Sequence, residues 1–266
     1  MVELTGSLTS LVEALEGKDV SARELLDATL DRVDRLNGPI TAVVTIDAER
    51  ARVEAAAIDE ARSRGDELGR LAGVPITIKD AIATAGMRST GGATELSDHV
   101  PTHDATVVAA VRDEGAVIFG KTNLPRWSGD YQSYNDIFGT TNNPWDLDRG
   151  PGGSSGGASA AVASGLTAFE VGTDIGGSVR MPAHFAGVWG HKPSFGIVPA
   201  LGYIDHVSAG LTEPDINVIG PIARSADDLD LLLSHMIGPT PDRAPAWRVQ
   251  LPPARSVEPG SIRIAA

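Results

Sequence analysis

The sequence predicts an α/β fold, in which a mixed, mainly parallel sheet is covered by helices on both faces. Two observations predict this class. The first quarter of the chain carries apolar residues at helical spacing, whereas from Leu71 onward short apolar runs alternate with helical segments. Strands that alternate with helices are typical of sheets whose two faces are buried. With 266 residues, of which 42% are hydrophobic, the chain is long enough for one sizeable core.

The stretch 1–70 is predicted to be an N-terminal helical segment of the domain. Ser21–Glu24 has the pattern of a capping box, which starts a helix, and Asn37–Pro39 should stop that helix. A short strand is expected at 41–46, and Asp47 should cap the helix that follows it. The first helix is indicated by four apolar residues at helical spacing: Leu8, Leu11, Val12 and Leu15.

The stretch 71–236 is predicted to form the core of the domain. Short apolar runs bounded by glycine indicate strands at 73–78, 115–119 and 166–171. Asp104 should cap a helix over about 105–114, and Ser225–Asp228 should open the last helix, which runs through about Met236.

The stretch 237–266 is predicted to be a proline-rich loop followed by an incomplete C-terminal part. Six prolines lie between 238 and 260, as in a long loop or linker. Residues 261–266 look like the start of a strand that has no continuation. We therefore expect the fold to lack its C-terminal part.

Composition excludes several classes of protein. The chain has no cysteine, so it has no disulfide framework and no cysteine-ligated metal. A formal net charge of −13 argues against a nucleic-acid partner. No signal-peptide pattern or membrane-length apolar run is visible, which predicts a cytoplasmic protein without membrane contact. We expect no cofactor and no metal: His99 and His103 have suitable spacing, but Pro101 between them is incompatible with a helix.

One segment matches the regular expression of a phosphate-binding loop. Gly115–Thr122 fits G-x-x-x-x-G-K-[ST], but its four middle residues are apolar and strand-forming. A core strand followed by a turn explains this segment better than a nucleotide site does. A nucleotide-binding protein is the alternative, which a measurement of ATP binding would test.

Three other segments carry residues suited to catalysis. Arg149–Gly157 is a glycine- and serine-rich run before an alanine-rich helix, where backbone N–H groups can face a ligand. Gly172–Ala183 places Ser178 on a tight turn, next to N–H groups that could hold an oxyanion. Lys79 ends an apolar run, and burial would let it act as a base. Taken singly, these segments also fit a flexible linker, an ordinary turn and a surface lysine.

Together, the three segments resemble the amidase signature family of Ser–cis-Ser–Lys hydrolases. The spacing of Ser154 and Ser178 fits the family pattern, as does the continuation Ser178-Val-Arg-Met-Pro-Ala183. The resemblance extends over about 8–236. It also accounts for the Gly-Lys-Thr motif without a nucleotide.

The resemblance implies the amidase signature fold and a set of site residues. Ser178 would be the nucleophile, Ser154 a bridging serine that follows a cis peptide bond, and Lys79 the general base. The residues agree, because a serine hydroxyl needs an adjacent base and none of the six histidines lies in a motif that assigns it this role. The oxyanion hole would be formed by backbone N–H groups of Ile175, Gly176, Gly177 and Ser178; the supporting residues would be Ser155, Asp174 and Arg180.

The function implied is hydrolysis of a carboxamide, a non-peptide linear amide, through an acyl-enzyme on Ser178. The partner would be a small-molecule amide; a homodimer, or a partner that completes the fold, is left open. One alternative is the amidase subunit of a glutamyl-tRNA(Gln) amidotransferase, which uses the same residues. That subunit usually has Arg-Gln-Pro at 180–182 and an acidic segment at 124–127. This chain has Arg-Met-Pro and Leu-Pro-Arg-Trp at these positions, and both differences favour a stand-alone amidase. The other alternative is a catalytically impaired fragment of an amidase.

Overall fold

A computed structural model describes residues 3–253 and residue 260. The strand expected at 261–266 lies outside these residues. The helices of the described part are α1 (Leu8–Glu16), α2 (Ala22–Ile40), α3 (Ala48–Arg64), α4 (Thr106–Asp113), α5 (Gly156–Ala163), α6 (Arg180–Ala186) and α7 (Ala226–Met236). Its strands are β1 (Val43–Ile46), β2 (Pro75–Lys79), β3 (Val117–Thr122), β4 (Tyr134–Asn135), β5 (Gly139–Thr140), β6 (Glu170–Asp174), β7 (Trp189–Gly190) and β8 (Val218–Ala223).

The strands form a mixed arrangement with parallel neighbours at its centre. β3 pairs in parallel with β2 and antiparallel with β1, whereas β8 pairs antiparallel with both β6 and β7. β6 runs beside β2 in the same direction, since the Ala168 N–H donates to the Pro75 carbonyl at one end and Lys79 reaches Thr173 at the other. β4 and β5 form a separate antiparallel pair.

The α/β class is confirmed, but parallel pairing is less extensive than the sequence predicts. The outer strands account for the difference. A parallel connection needs a crossover, usually a helix. The chain between β7 and β8 consists of turns and irregular segments without a helix, and β8 returns antiparallel.

The hydrophobic core is continuous from the first helix to the last. The four leucine and valine side chains predicted for α1 are all buried and share this core with Leu232 and Met236 of α7. Every residue of β2, β3, β6 and β8 is buried, as expected for strands covered on both faces. None of the helices in the described residues combines the length and the apolar character needed to cross a bilayer.

Local signals for helix ends were mostly correct. Ser21 forms the predicted capping box with Glu24, and Asp47 and Ser225 accept the capping bonds expected of them. Asp104 does not cap α4. Its carboxylate accepts hydrogen bonds from the Ala85 N–H at 2.7 Å and from Arg112 instead.

The end of α2 differs from the prediction. The helix passes through Pro39 and ends at Ile40, with Thr41 in the left-handed region at φ 54°. The proline still limits the helix, which ends one residue later. The Asn37 side chain stabilises this end, because its Oδ1 accepts bonds from two N–H groups beyond the helix.

Two strands end three residues further along the chain than predicted. β3 begins two residues later than 115–119 and extends through Gly120–Thr122, whereas β6 replaces the strand expected at 166–171. Both shifts carry polar side chains into the sheet interior, where pattern reading expects apolar ones.

Candidate active site

Three segments that are distant in sequence meet at one end of the sheet. Lys79 is the last residue of β2, Ser154 and Ser155 immediately precede α5, and Ser178 lies on the turn between β6 and α6. The lysine and the two neighbouring serines are fully buried, whereas the Ser178 residue is 8% exposed. The structure therefore brings the predicted lysine and serines together.

The Lys79 ammonium group is surrounded by hydroxyl oxygens. Its Nζ donates to Ser154 Oγ at 2.7 Å, to Thr173 Oγ1 at 2.8 Å and to Ser155 Oγ at 3.0 Å. Sequence reasoning missed Thr173. The only signal was its place on the strand that leads into the turn carrying Ser178. Ser155 makes no capping bond to α5, so its hydroxyl belongs to the lysine network.

Burial changes the acidity of Lys79. Removal from water lowers the pKa of Lys79 to about 7, against the raising effect of the nearby Glu170 and Asp174 carboxylates. A large fraction of this lysine is consequently neutral near pH 7, when its nitrogen has a lone pair that can accept a proton.

The glycine-rich run brings the serines close to neighbouring backbone. The Gly153–Ser154 peptide bond is cis, as the resemblance implied. A Cβ at Gly157 would lie 2.4 Å from the Asn123 backbone nitrogen, so only glycine fits at this contact. Ser133, which sequence reasoning missed, serves the start of α5: its Oγ accepts a bond from the Gly156 N–H at 3.0 Å.

Ser178 is held through its backbone. The Ser155 N–H donates to the Ser178 carbonyl at 3.0 Å, which ties the turn to the start of α5. Within the described residues, no hydrogen bond joins the Ser178 hydroxyl to Ser154; the lysine–serine half of the predicted relay is the part observed.

Asp174 organises the turn that carries Ser178. Its carboxylate accepts bonds from the Gly177 N–H at 2.8 Å and the Val179 N–H at 3.0 Å, and it pairs with the Arg180 guanidinium at 2.9 Å. Burial by itself would raise the pKa of Asp174, but the guanidinium and these N–H donors lower it to about 2. Asp174 and Arg180, both expected as supporting residues, thus form an ion pair that holds this turn.

The expected oxyanion hole needs one correction. The Gly177 N–H is engaged by Asp174 and does not point into the cleft as a free donor. The N–H groups of Ile175, Gly176 and Ser178 have no acceptor among the described residues. All three residues line the cleft that contains Ser178.

A cleft of about 440 Å³ opens in front of Ser178. Ile175 and Gly176 line one side of it, and residues 128–131 line the other. Tyr131 spans the two sides, since its hydroxyl donates to the Gly176 carbonyl at 3.3 Å. Sequence reasoning missed residues 128–131, which lie in an irregular segment without a recognisable motif.

The phosphate-loop interpretation is wrong. Gly120, Lys121 and Thr122 belong to β3, and the lysine is fully buried. Its Nζ donates to Thr84 Oγ1 at 2.9 Å and to Ser89 Oγ at 3.0 Å, so it is held by protein atoms. As for metals, no group of three His, Asp or Glu side chains in the part of the chain that the structure describes is arranged to hold an ion.

Comparison with known proteins identifies the family of this chain. The chain matches the family described as Amidase over residues 24–266. It is 42% identical over 246 residues to a glutamyl-tRNA(Gln) amidotransferase subunit of Moorella thermoacetica, and the match covers 92% of this chain and 49% of that protein.

Solved structures give the same result. 6-Aminohexanoate cyclic dimer hydrolase superposes with a TM-score of 0.81 at 33% identity, covering 96% of this chain and 50% of that one. A bacterial aryl acylamidase of the amidase signature family gives 0.82 at 34% identity, covering 92% and 50%. The chain spans about half the length of these relatives. Because the family match covers most of the chain, this protein belongs to the amidase (amidase signature) family.

Proposed function

We propose that this chain carries the catalytic residues of an amidase that cleaves a carboxamide through an acyl-enzyme on Ser178. The observation that supports this most directly is the buried Lys79, whose Nζ lies 2.7 Å from Ser154 Oγ and whose pKa is about 7. A lysine that is neutral at working pH can activate a serine, as an adjacent base must.

In the first half of the reaction, the Ser178 hydroxyl attacks the amide carbonyl carbon. Ser154 takes the proton from Ser178 as it passes its own proton to Lys79. The carbonyl oxygen gains negative charge and accepts hydrogen bonds from the N–H groups of Ile175, Gly176 and Ser178. The tetrahedral intermediate formed by this attack collapses, its C–N bond breaks, and the proton returns from Lys79 through Ser154 to the leaving nitrogen. Ammonia or an amine departs, and an ester remains on Ser178.

The second half of the reaction uses the same groups, with water as the nucleophile. Water loses a proton through Ser154 to Lys79 and attacks the ester carbonyl. The Ser178 oxygen then leaves and takes the proton back, releasing a carboxylic acid, which ionises. Asp174 and Arg180 do not exchange protons in this scheme. They hold the turn so that the oxyanion donors stay in position.

A second candidate is the amidase subunit of a glutamyl-tRNA(Gln) amidotransferase. The curated relative from Moorella thermoacetica, at 42% identity, favours it. Met181 and the segment Leu124–Trp127 depart from the sequence usual in that subunit and favour an amidase acting on a free small-molecule amide. A panel that compares glutamine with aryl and alkyl amides distinguishes the two: release of ammonia from glutamine alone would support the amidotransferase function.

A serine-directed fluorophosphonate probe tests the proposed nucleophile. We expect labelling of the wild-type chain, complete loss in Ser178→Ala, and near-complete loss in Lys79→Arg, because a guanidinium does not release its proton near neutral pH. Ser63→Ala, which removes an exposed hydroxyl on α3, is the control and should label normally. Labelling that survives in Ser178→Ala would overturn the assignment. A wild-type chain that folds but is not labelled would instead indicate the impaired fragment.

A further inference from the structure

A buried carboxylate lies beside the catalytic lysine, and the mechanism does not use it. Glu170, the first residue of β6, is fully buried. Its Oε1 accepts a hydrogen bond from Thr122 Oγ1 at 2.7 Å, and its Oε2 accepts one from the Val171 N–H at 2.8 Å. An isolated buried carboxylate is costly, so it needs a neighbouring cation or a proton of its own.

The strand register places this carboxylate next to Lys79. Thr122 of β3 is the ladder partner of Lys79 of β2. Since β6 flanks β2 on its other side, a Glu170 side chain that reaches Thr122 must pass over β2, close to the base of the Lys79 side chain. Both groups are fully buried between the same strands.

The other charged side chains of these strands are already engaged by other groups. Asp174 of β6 is paired with Arg180, and Asp80 of β2 accepts bonds from the Thr90 N–H and hydroxyl. Lys121 of β3 donates to Thr84, Ser89 and a carbonyl. α5, which also packs here, has no charged residue. Among the described residues, no lysine or arginine donates a hydrogen bond to Glu170, so its interaction with Lys79 acts through space.

The charge of Glu170 acts on two buried lysines, Lys79 and Lys121. Burial raises the pKa of Glu170 to about 7, and the hydrogen bonds from Thr122 and Val171, together with the charge of Lys121, oppose this rise. The carboxylate in turn is one of two groups that keep the pKa of Lys79 from falling further. Two buried groups of opposite charge that titrate in the same range behave as a coupled pair.

We infer that Glu170 is a positioning residue that sets, through space, the pH at which Lys79 loses its proton. When Glu170 is ionised it stabilises the ammonium form of the lysine. When Glu170 is neutral the lysine becomes a free base at lower pH. The inference rests on the proposed role of Lys79, but the charge interaction can be measured without any substrate.

Lysine-selective NMR tests the inference directly, because the chain contains only four lysines: Lys18, Lys79, Lys121 and Lys192. With ¹³C at the lysine ε-carbon, the Lys79 signal is assigned by its loss in Lys79→Arg, and its chemical shift is followed against pH. Glu170→Gln removes the charge while keeping an acceptor for Thr122. We expect the Lys79 midpoint to fall by about one pH unit.

Two further variants make the result decisive. Thr122→Val removes the hydrogen bond that favours the Glu170 carboxylate, so it should shift the Lys79 midpoint in the same direction by a smaller amount, and it serves if Glu170→Gln does not fold. Glu213→Gln removes a carboxylate that pairs with Arg243 away from the sheet, and it should leave the midpoint unchanged. A Lys79 midpoint that stays constant or rises in both Glu170→Gln and Thr122→Val would overturn the inference.

Fluorophosphonate labelling against pH separates this inference from the proposed function. If Lys79 is the base, the labelling rate should fall at low pH, and the pH at which it is halved should shift with the Lys79 NMR midpoint in each variant. An NMR midpoint that falls while the labelling profile stays fixed would support the role of Glu170 and contradict the role of Lys79. This readout also excludes a purely structural effect, because a loss of packing would lower the labelling rate at every pH without shifting the pH at which the rate is halved.

Discussion

Replacing the proposed base, Lys79, by methionine should stabilise the protein at neutral pH while abolishing the proposed reaction. Methionine has the same unbranched shape but no charge. The pKa of Lys79 is 10.5 in water and about 7 in the folded chain, and this difference corresponds to about 5 kcal/mol of lost stability at pH 7. Its three hydrogen bonds return about 1 kcal/mol each. We therefore expect Lys79→Met to be more stable than wild type at pH 7 by about 2 kcal/mol.

The pH dependence of this difference is the sharper test. Between pH 7 and 10.5 the unfolded lysine holds its proton and the folded lysine does not, so folding releases a proton and wild-type stability rises with pH. The advantage of the methionine variant should shrink by about 1.4 kcal/mol for each pH unit and reverse at about pH 8.5. Below pH 7 both states are protonated and the difference should level off.

Urea unfolding at pH 7, 8 and 9 measures this difference, and Lys18→Met, which removes an exposed lysine, is the matched control. Titration of Lys121 is common to both proteins and cancels to first order, whereas Glu170, without the neighbouring ammonium group, ionises less readily in the variant and weakens it further as the pH rises. A difference between Lys79→Met and wild type that is the same at pH 7 and pH 9 would show that the lysine is charged in the folded chain, and would refute the reasoning.

Three further outcomes are expected. Asp174→Asn should slow fluorophosphonate labelling at least about tenfold, because the guanidinium and N–H donors lose their charged acceptor. The Asp174 carboxylate, with a pKa of about 2, should also stabilise the wild-type chain above pH 3.8, and this contribution should be lost as the pH falls toward 2. Acid unfolding of the two proteins measures it. Gly157→Ala should cost about 2 kcal/mol or more in urea unfolding because its methyl group would meet the Asn123 backbone, whereas Ser63→Ala, at an exposed position of α3, should change the stability by less than about 0.5 kcal/mol. Tyr131→Phe should slow labelling about threefold at unchanged unfolding midpoint, since it loses one hydrogen bond to the nucleophile turn; an unchanged rate would exclude the tyrosine from holding the cleft.

Sequence reasoning succeeded where the determinant is local. Ser21, Asp47 and Ser225 each cap a helix that begins within three residues of them, so the pattern contains both partners. The glycine and serine segments were also recognisable, because a close approach of backbone restricts the residue type at each position.

It failed where the partner comes from a distant part of the chain. Asp104 has the residue type of a cap, but the Ala85 N–H, brought close by the fold, takes its carboxylate. Likewise Thr173 and Glu170 read as ordinary strand residues, and their roles depend on which strand lies beside them. The use of the Gly177 N–H by Asp174 follows from the shape of a single turn that no residue pattern specifies.

The hydroxyl groups around Lys79 have a consequence for how the site relaxes during turnover. An ammonium group needs three acceptors, whereas a neutral amine needs two acceptors and one donor, and a hydroxyl can serve as either. The hydroxyl groups of Ser154, Ser155 and Thr173 can therefore accommodate both forms of the lysine when one of them rotates about its C–O bond. No heavy atom has to move when the proton arrives or leaves. The reorganisation that accompanies proton transfer is thus confined to hydrogen positions, and the site can be rigid in every other respect.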